Sequence, residues 1–233
     1  LVQDGAKAFV ASSGGNAGIA VAYCGLMLTI PTTVFIPSSS HRLYIDAIKG
    51  YGAKVIVAGK SWDDAHMAAL DYMEQHGSAY IPPFDHPSLW RGHSTMIDEV
   101  VSQGLNKPDK VIVSVGGGGL ACGVLEGMAR HGWSDVPLIT VETQGADAFA
   151  QSCKTGKRIT LDAITSKATS LGAKSVTEKL LYWRKSHPIT PVVVSDESAQ
   201  QACYSFARDQ RMLVELSSAA AMSLVYQNHS SVT

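Results

Sequence analysis

The stretch Val113-Ser114-Val115-Gly116-Gly117-Gly118-Gly119-Leu120 constrains this chain more than any other. An apolar run of strand character enters four consecutive glycines and leaves as a helix reaching about His131. Lacking a Cβ, a glycine backbone can close around a bulky anion. The helix that follows offers its partly positive N-terminus. A turn that only reverses the chain uses one or two glycines, so four in a row predict a phosphate cradle. The cradle alone leaves the owner of the phosphate open. Gly116-x-Gly118-x-x-Ala121 also fits the loose dinucleotide fingerprint, and Glu142 ends the next strand, where an acid would meet a ribose. An NAD-binding oxidoreductase built on Gly116 to Ala121 and Glu142 is therefore one open alternative.

A second loop, Ser12-Ser13-Gly14-Gly15-Asn16-Ala17-Gly18, also sits between a strand and a helix. Its hydroxyls, its amide side chain and its bare backbone amides suit a carboxylate or a phenolate oxygen. The plainer alternative is that Asn16 and the serines only cap the helix. Two anion-holding loops on one chain favour a ligand with two anionic ends, such as an amino acid joined to a phosphorylated cofactor. Gly14 is expected to leave more room beside Ser13 than an alanine would.

Strand and helix patterns alternate along the chain. Ala8 to Ala11, Thr33 to Ile36, Lys54 to Val57 and Ala79 to Ile81 have strand character. Helices are expected from Asn16 to about Leu28, from Leu43 to Lys49, and along the face marked by Trp62, Ala65, Ala69 and Met73. Ser61 with Asp64 forms a capping-box-like start for the last of these. Further on, Val111 to Val115, Leu138 to Val141 and Val192 to Val194 are strands, and Asp196 to Gln210 and Ala219 to Tyr226 are helical. This alternation predicts an α/β fold of parallel strands with helices on both faces. The proline-rich stretch from Pro82 to Pro87 is the expected change of domain, giving a smaller unit over residues 1–86 and a larger one over 87–233.

Composition excludes several functions. The chain has 233 residues, 45% hydrophobic and 17% charged, with a formal net charge of -1. Nothing in that balance points to nucleic acid or an anionic membrane surface, and no run approaches the roughly 18 apolar residues of a membrane span. Cys24, Cys122, Cys153 and Cys203 form no C-x-x-C pair and are expected to be reduced packing residues of a cytoplasmic protein. His86 and His93 are expected to cap or meet solvent, Asp63-Asp64 to start a helix, and Trp62, Trp90, Trp133 and Trp183 to pack. Ser114 has no Gly-x-Ser-x-Gly turn around it and is not expected to be a nucleophile. The abrupt opening at Leu1 suggests a chain cut from a longer one.

The motifs at residues 12–18, Tyr80-Ile81-Pro82-Pro83-Phe84-Asp85, residues 116–120, and Ile164-Thr165-Ser166 with Leu171-Gly172 follow one another in a familiar order. In this the chain resembles the serine dehydratase and threonine deaminase family of fold-type II (tryptophan synthase β-like) pyridoxal-phosphate enzymes. It is especially similar to the animal-type branch and its dehydratase-like paralogues. The resemblance implies that Asn16 holds the cofactor ring through its phenolic oxygen, with Phe84 near the cofactor. It implies that Gly116, Gly117, Gly118, Gly119 and the Leu120 amide hold the phosphate of pyridoxal 5'-phosphate. Ser13, Gly14 and Asn16 would bind the carboxylate of an amino-acid substrate. Glu142, Ala146, Leu171 and Ala173 match positions that give oxygens to a monovalent cation, potassium. The implied reaction is β-elimination and deamination of L-serine, and of L-threonine, to a 2-oxo acid and ammonia, in a cytoplasmic homodimer. Racemisation is not separated from it by these residues.

The family's cofactor lysine lies in a Ser-x-Ser-Phe-Lys-x-Arg-Gly segment upstream of Ser12, and no lysine here has that context. No catalytic residue is therefore assigned, and the chain is expected to lack both ends of the family pattern. A catalytically inactive ligand-binding fragment is the remaining alternative. The family's Val-Glu-Pro-Ala-Cys-Gly-Ala-Ala also reads Val214-Glu215-Leu216-Ser217-Ser218-Ala219-Ala220-Ala221 here. This change is expected either to alter a wall of the active site or to replace the proline by a serine cap.

Overall fold

The computed structural model describes residues 1–3 and 5–232. The chain divides into two compact units, Leu1–Pro83 and Phe84–Thr233.

In the first unit, strands β1 (Phe9–Ala11), β2 (Thr32–Ile36), β3 (Lys54–Val57) and β4 (Ala79–Tyr80) form a parallel sheet in the order β3-β2-β1-β4. Helices α1 (Asn16–Leu28), α2 (Arg42–Gly50) and α3 (Trp62–His76) connect them. All five residues of β2 are buried, because the sheet is covered on both faces. Alternate side chains point to opposite layers. Val34 and Ile36 pack with Ala22 and Ile48 of α1 and α2, while Phe35 packs with Ala65 and Ala69 of α3. The capping box is present: Ser61 Oγ accepts from the Asp64 amide, and the Asp64 carboxylate accepts from the Ser61 amide. Asn16 is not the cap of α1. It is the first helical residue, and Gly15 stands at the N-cap with no side-chain bond. Helix α1 is apolar on most sides, and Tyr23, Cys24, Leu26 and Met27 are exposed. Cys24 is thus a surface thiol, unlike the buried Cys122, Cys153 and Cys203.

In the second unit, β5 (Val111–Ser114), β6 (Leu138–Thr143) and β7 (Ile189–Val194) are parallel in the order β5-β6-β7. Helices α4 (Pro87–Ser102), α5 (Gly119–Arg130), α6 (Ala148–Thr155), α7 (Glu178–Trp183), α8 (Asp196–Gln210) and α9 (Leu216–Tyr226) accompany them. The central strand β6 again serves two layers. Leu138 joins Leu125, Met128 and Phe149 on one side, and Ile139 and Val141 join Ala199, Ala220 and Leu224 on the other. Sequence patterns miss α6, α7 and the 3-10 turn Thr169–Leu171, and they start β7 three residues late. Pro191 masks that start, and an edge strand tolerates a residue without an N–H. Helix α9 begins at Leu216 with Glu215 at its N-cap, so the expected serine cap is not what replaces proline. Leucine simply occupies the first helical position. Among the described residues, no helix is long and apolar enough to cross a membrane.

Candidate active site

In the second unit, β5 feeds the glycine turn directly. The Val115 amide donates to the Val141 carbonyl at 2.8 Å, and the Gly117 carbonyl accepts from the Thr177 amide at 2.9 Å. Gly118 stands at the N-cap of α5 with φ 89°, a left-handed conformation suited to glycine. No side chain caps this helix, although Ser61, His41, His86, Thr177 and Ser195 cap theirs. The first-turn amides of α5 have no intrahelical acceptor by geometry. They are suited to an anion of phosphate type.

Not every glycine here is explained by a ligand. A Cβ on Gly117 would lie 2.4 Å from the Phe84 ring, and one on Gly119 would lie 2.4 Å from the Phe84 carbonyl. One on Gly116 would lie 3.0 Å from the Leu171 backbone. Phe84 therefore packs into the back of the turn, held by the Trp90 indole, which donates to its carbonyl at 2.9 Å. The structure brings Phe84, Leu171 and the glycine turn together.

Glu142 is 1% exposed. Its two oxygens accept from the amides of Phe149 and Ala150 at 2.8 and 2.7 Å, capping α6 in place of a local side chain. Burial pushes its carboxyl up to about 8, against the pull of those two amides. Both oxygens face a helix terminus, so Glu142 is not a ribose-binding acid, and the NAD alternative loses its second element. The carboxylate could still share its remaining lone pairs with a cation. Ala146 and Leu171 lie in one apolar cluster with Ile164 packed against it. Ala173 follows, donating its amide to the Leu171 carbonyl at 2.8 Å. The Ile164-Thr165-Ser166 segment is fastened at several points. The Thr165 amide donates to the Gly145 carbonyl, and Ser166 Oγ donates to Asp196 at 2.7 Å and accepts from the Thr143 hydroxyl at 2.8 Å.

In the first unit, the loop holding Ser13, Gly14 and Asn16 leads from β1 into α1, whose N-terminus also has no side-chain cap. The expected free space at Gly14 is absent. A Cβ there would lie 2.0 Å from Ser40 Oγ and 2.8 Å from Ser40 Cβ, so Gly14 accommodates Ser40. Beside Ser13, the buried Ser12 hydroxyl lies 2.7 Å from Tyr80 Oη, which lies 2.9 Å from His66 Nδ1. The Trp62 indole donates to the Ser12 carbonyl at 2.7 Å and stacks on His66. Sequence patterns do not single out His66, give Tyr80 no role beyond opening the Tyr80-to-Asp85 motif, and assign Trp62 only to packing. The available signal was the spacing of Trp62 and His66, one helical turn apart on a shared face.

Other singled-out residues have structural roles. His86 caps α4, accepting from the Ser88 amide, and half-buried His93 packs against Gly123 of α5. Ser114 Oγ accepts from the Ala221 amide at 3.3 Å, tying β5 to α9.

Comparison with known proteins accounts for this arrangement. The chain is 44% identical over 227 residues to the L-serine dehydratase/L-threonine deaminase of Bos taurus, covering 97% of this chain and 69% of that protein. It is 44% identical over 226 residues to the L-serine dehydratase of Dictyostelium discoideum, covering 94% of this chain and 65% of the relative. The chain thus spans about two thirds of the length of these relatives. A fungal L-serine ammonia-lyase from Rhizomucor miehei superposes with a TM-score of 0.90 at 36% identity, over 96% of this chain and 71% of that one. These matches supersede the NAD alternative, and the fold is that of the fold-type II enzymes. The family model described as pyridoxal-phosphate dependent enzyme matches residues 1–232, and the chain belongs to that family.

Proposed function

We propose that this chain is the greater part of a pyridoxal-phosphate ammonia-lyase that deaminates L-serine, and also L-threonine, to a 2-oxo acid and ammonia. The observation that carries this is the glycine turn at the uncapped N-terminus of α5, with Gly118 left-handed at the cap. Relatives with the printed names L-serine dehydratase and L-threonine deaminase support the choice of substrate.

The residues fit the cofactor. In the second unit, the amides of Gly116, Gly117, Gly118, Gly119 and Leu120 would hold its phosphate, helped by the α5 dipole. Phe84 packs against the back of that turn. In the first unit, Asn16 would hold the ring oxygen, and Ser13 and Gly14 would bind the substrate carboxylate. Bound pyridoxal phosphate supplies the electron sink for the pair left on Cα when its proton is removed. Glu142, with the carbonyls of Ala146, Leu171 and Ala173, would hold a potassium ion. A hard cation takes such oxygens, and it would offset the cost of an ionised carboxylate in a buried position. The lysine of the resemblance is not among the residues assigned here.

Homodimer assembly comes with the same proposal from the resemblance, and unpaired cysteines support a reducing compartment such as the cytoplasm. The test is pyruvate and ammonia release from L-serine by the complete gene product supplied with pyridoxal phosphate. Equal amounts of both products support the proposal. Serine binding with no release marks the inactive ligand-binding alternative.

A further inference from the structure

Beneath the loop assigned to the substrate carboxylate lies a closed set of polar contacts that the proposed reaction does not use. Ser12 Oγ, Tyr80 Oη and His66 Nδ1 form a triangle with sides of 2.7, 2.9 and 3.3 Å. Ser12 is wholly buried. The Ser12 carbonyl is held by the Trp62 indole at 2.7 Å, and the indole and imidazole rings are stacked, 4.7 Å apart and 9° from parallel. Both rings stand on the first turns of α3, and the Ser61/Asp64 capping box fixes that end of the helix.

The donor inventory shows how this set works. Two hydroxyls and one ring nitrogen share the triangle. When Nδ1 carries no proton, Tyr80 donates to His66 and Ser12 donates to Tyr80. The Ser12 proton is then committed to Tyr80 of β4, and its carbonyl is committed to Trp62 of α3. The hydroxyl and the carbonyl of Ser12 are thus both held by side chains of neighbouring elements. The following residues have little slack. The Cβ position of Gly14 is filled by Ser40, and that of Gly18 lies 2.0 Å from the Ser13 carbonyl.

We propose that His66 and Tyr80, with Trp62 stacked on the imidazole, are positioning residues that lock Ser12 inward and so fix Ser13 and Gly14 for a substrate carboxylate. This rests on the assignment of that loop to the carboxylate. None of the three residues need touch substrate. Their effect passes through the backbone of Ser12, and a site held by such a supporting shell loses affinity when the shell loosens.

The test uses the full chain with pyridoxal phosphate present and compares wild type with His66→Leu, His66→Asn and Tyr80→Phe. Hydrogen exchange of residues 12–18 and calorimetric binding of L-serine are both measured. His66→Leu and Tyr80→Phe are expected to speed loop exchange and weaken serine binding, each about tenfold, the scale of one lost hydrogen bond. Exchange in α5 should not change. His66→Asn places a polar atom near the Nδ1 position and should restore both quantities. A purely structural role would lower thermal stability without moving serine affinity and would not be rescued by asparagine. Unchanged exchange and affinity in His66→Leu and Tyr80→Phe, where wild type binds serine, overturn the proposal alone. A wild type that binds no serine overturns the carboxylate assignment and the proposal with it.

Discussion

Replacing Glu142 by glutamine tests how the second unit tolerates a buried carboxyl. The group is 1% exposed, and its carboxyl is pushed from 4.5 in the unfolded reference to about 8. A raised folded value means that the native state keeps its proton where the unfolded chain has lost it. The associated stability is complete below the unfolded value and is lost as pH rises through the folded one. In wild type the loss runs from about pH 4.5 to 8, at up to about 1.4 kcal/mol per pH unit and about 5 kcal/mol in all. Glu142→Gln cannot ionise. It keeps one acceptor for the α6 amides and loses the other, a cost of about 1–3 kcal/mol that does not vary with pH. Urea unfolding of both proteins from pH 5 to 9 is the assay, since the titration of all other groups cancels in the difference. Wild type should be the more stable near pH 5, and the margin should shrink or reverse by pH 9. Potassium should restore wild-type stability at high pH, by about 2.7 kcal/mol at a hundred times its dissociation constant, and leave the glutamine variant unmoved. Stability differences that are parallel across the whole range would refute the reasoning.

Three further outcomes are open to direct measurement. Gly117→Ala should destabilise the chain by about 1–3 kcal/mol through collision with the Phe84 ring, and combining it with Phe84→Leu should recover part of that loss in a double-mutant cycle. Gly14→Ala should weaken the fold of the first unit in the same way, and adding Ser40→Gly should relieve it, seen as recovery of the thermal midpoint. A thiol reagent should modify Cys24 at once in the native chain. Cys122, buried and pushed up to about 12, should react only after unfolding.

Much of the architecture was legible because it rests on local signals. The Ser61/Asp64 box, the β-branched and aromatic run of β2 and the passage from Val115 through four glycines into α5 each depend on neighbouring residues. The elements that escaped depend on distant ones. Helix α6 takes its cap from Glu142, a strand residue several positions earlier, so its start has no local signature. The free space expected at Gly14 disappeared because Ser40, on a loop that sequence does not connect to it, fills the position. Glycines 116, 117 and 119 suggested a ligand, yet Leu171 and Phe84 account for the missing side chains at their backs. The features that point to an anion without such an explanation are the uncapped N-terminus and first-turn amides of α5. The Ser12–Tyr80–His66 triangle joins residues 54 and 68 positions apart, and no periodicity reports such a contact.

The most direct check is binding of pyridoxal phosphate to the full chain, followed by dialysis and visible absorption, with inorganic phosphate as competitor. Leu120→Pro, which deletes one amide at a first-turn position that tolerates proline, serves as the control for the glycine turn. Saturable one-to-one binding, displaced by phosphate and weakened about tenfold by that single substitution, is the predicted result. Binding that neither phosphate nor Leu120→Pro affects would contradict the assignment of the α5 N-terminus to the cofactor.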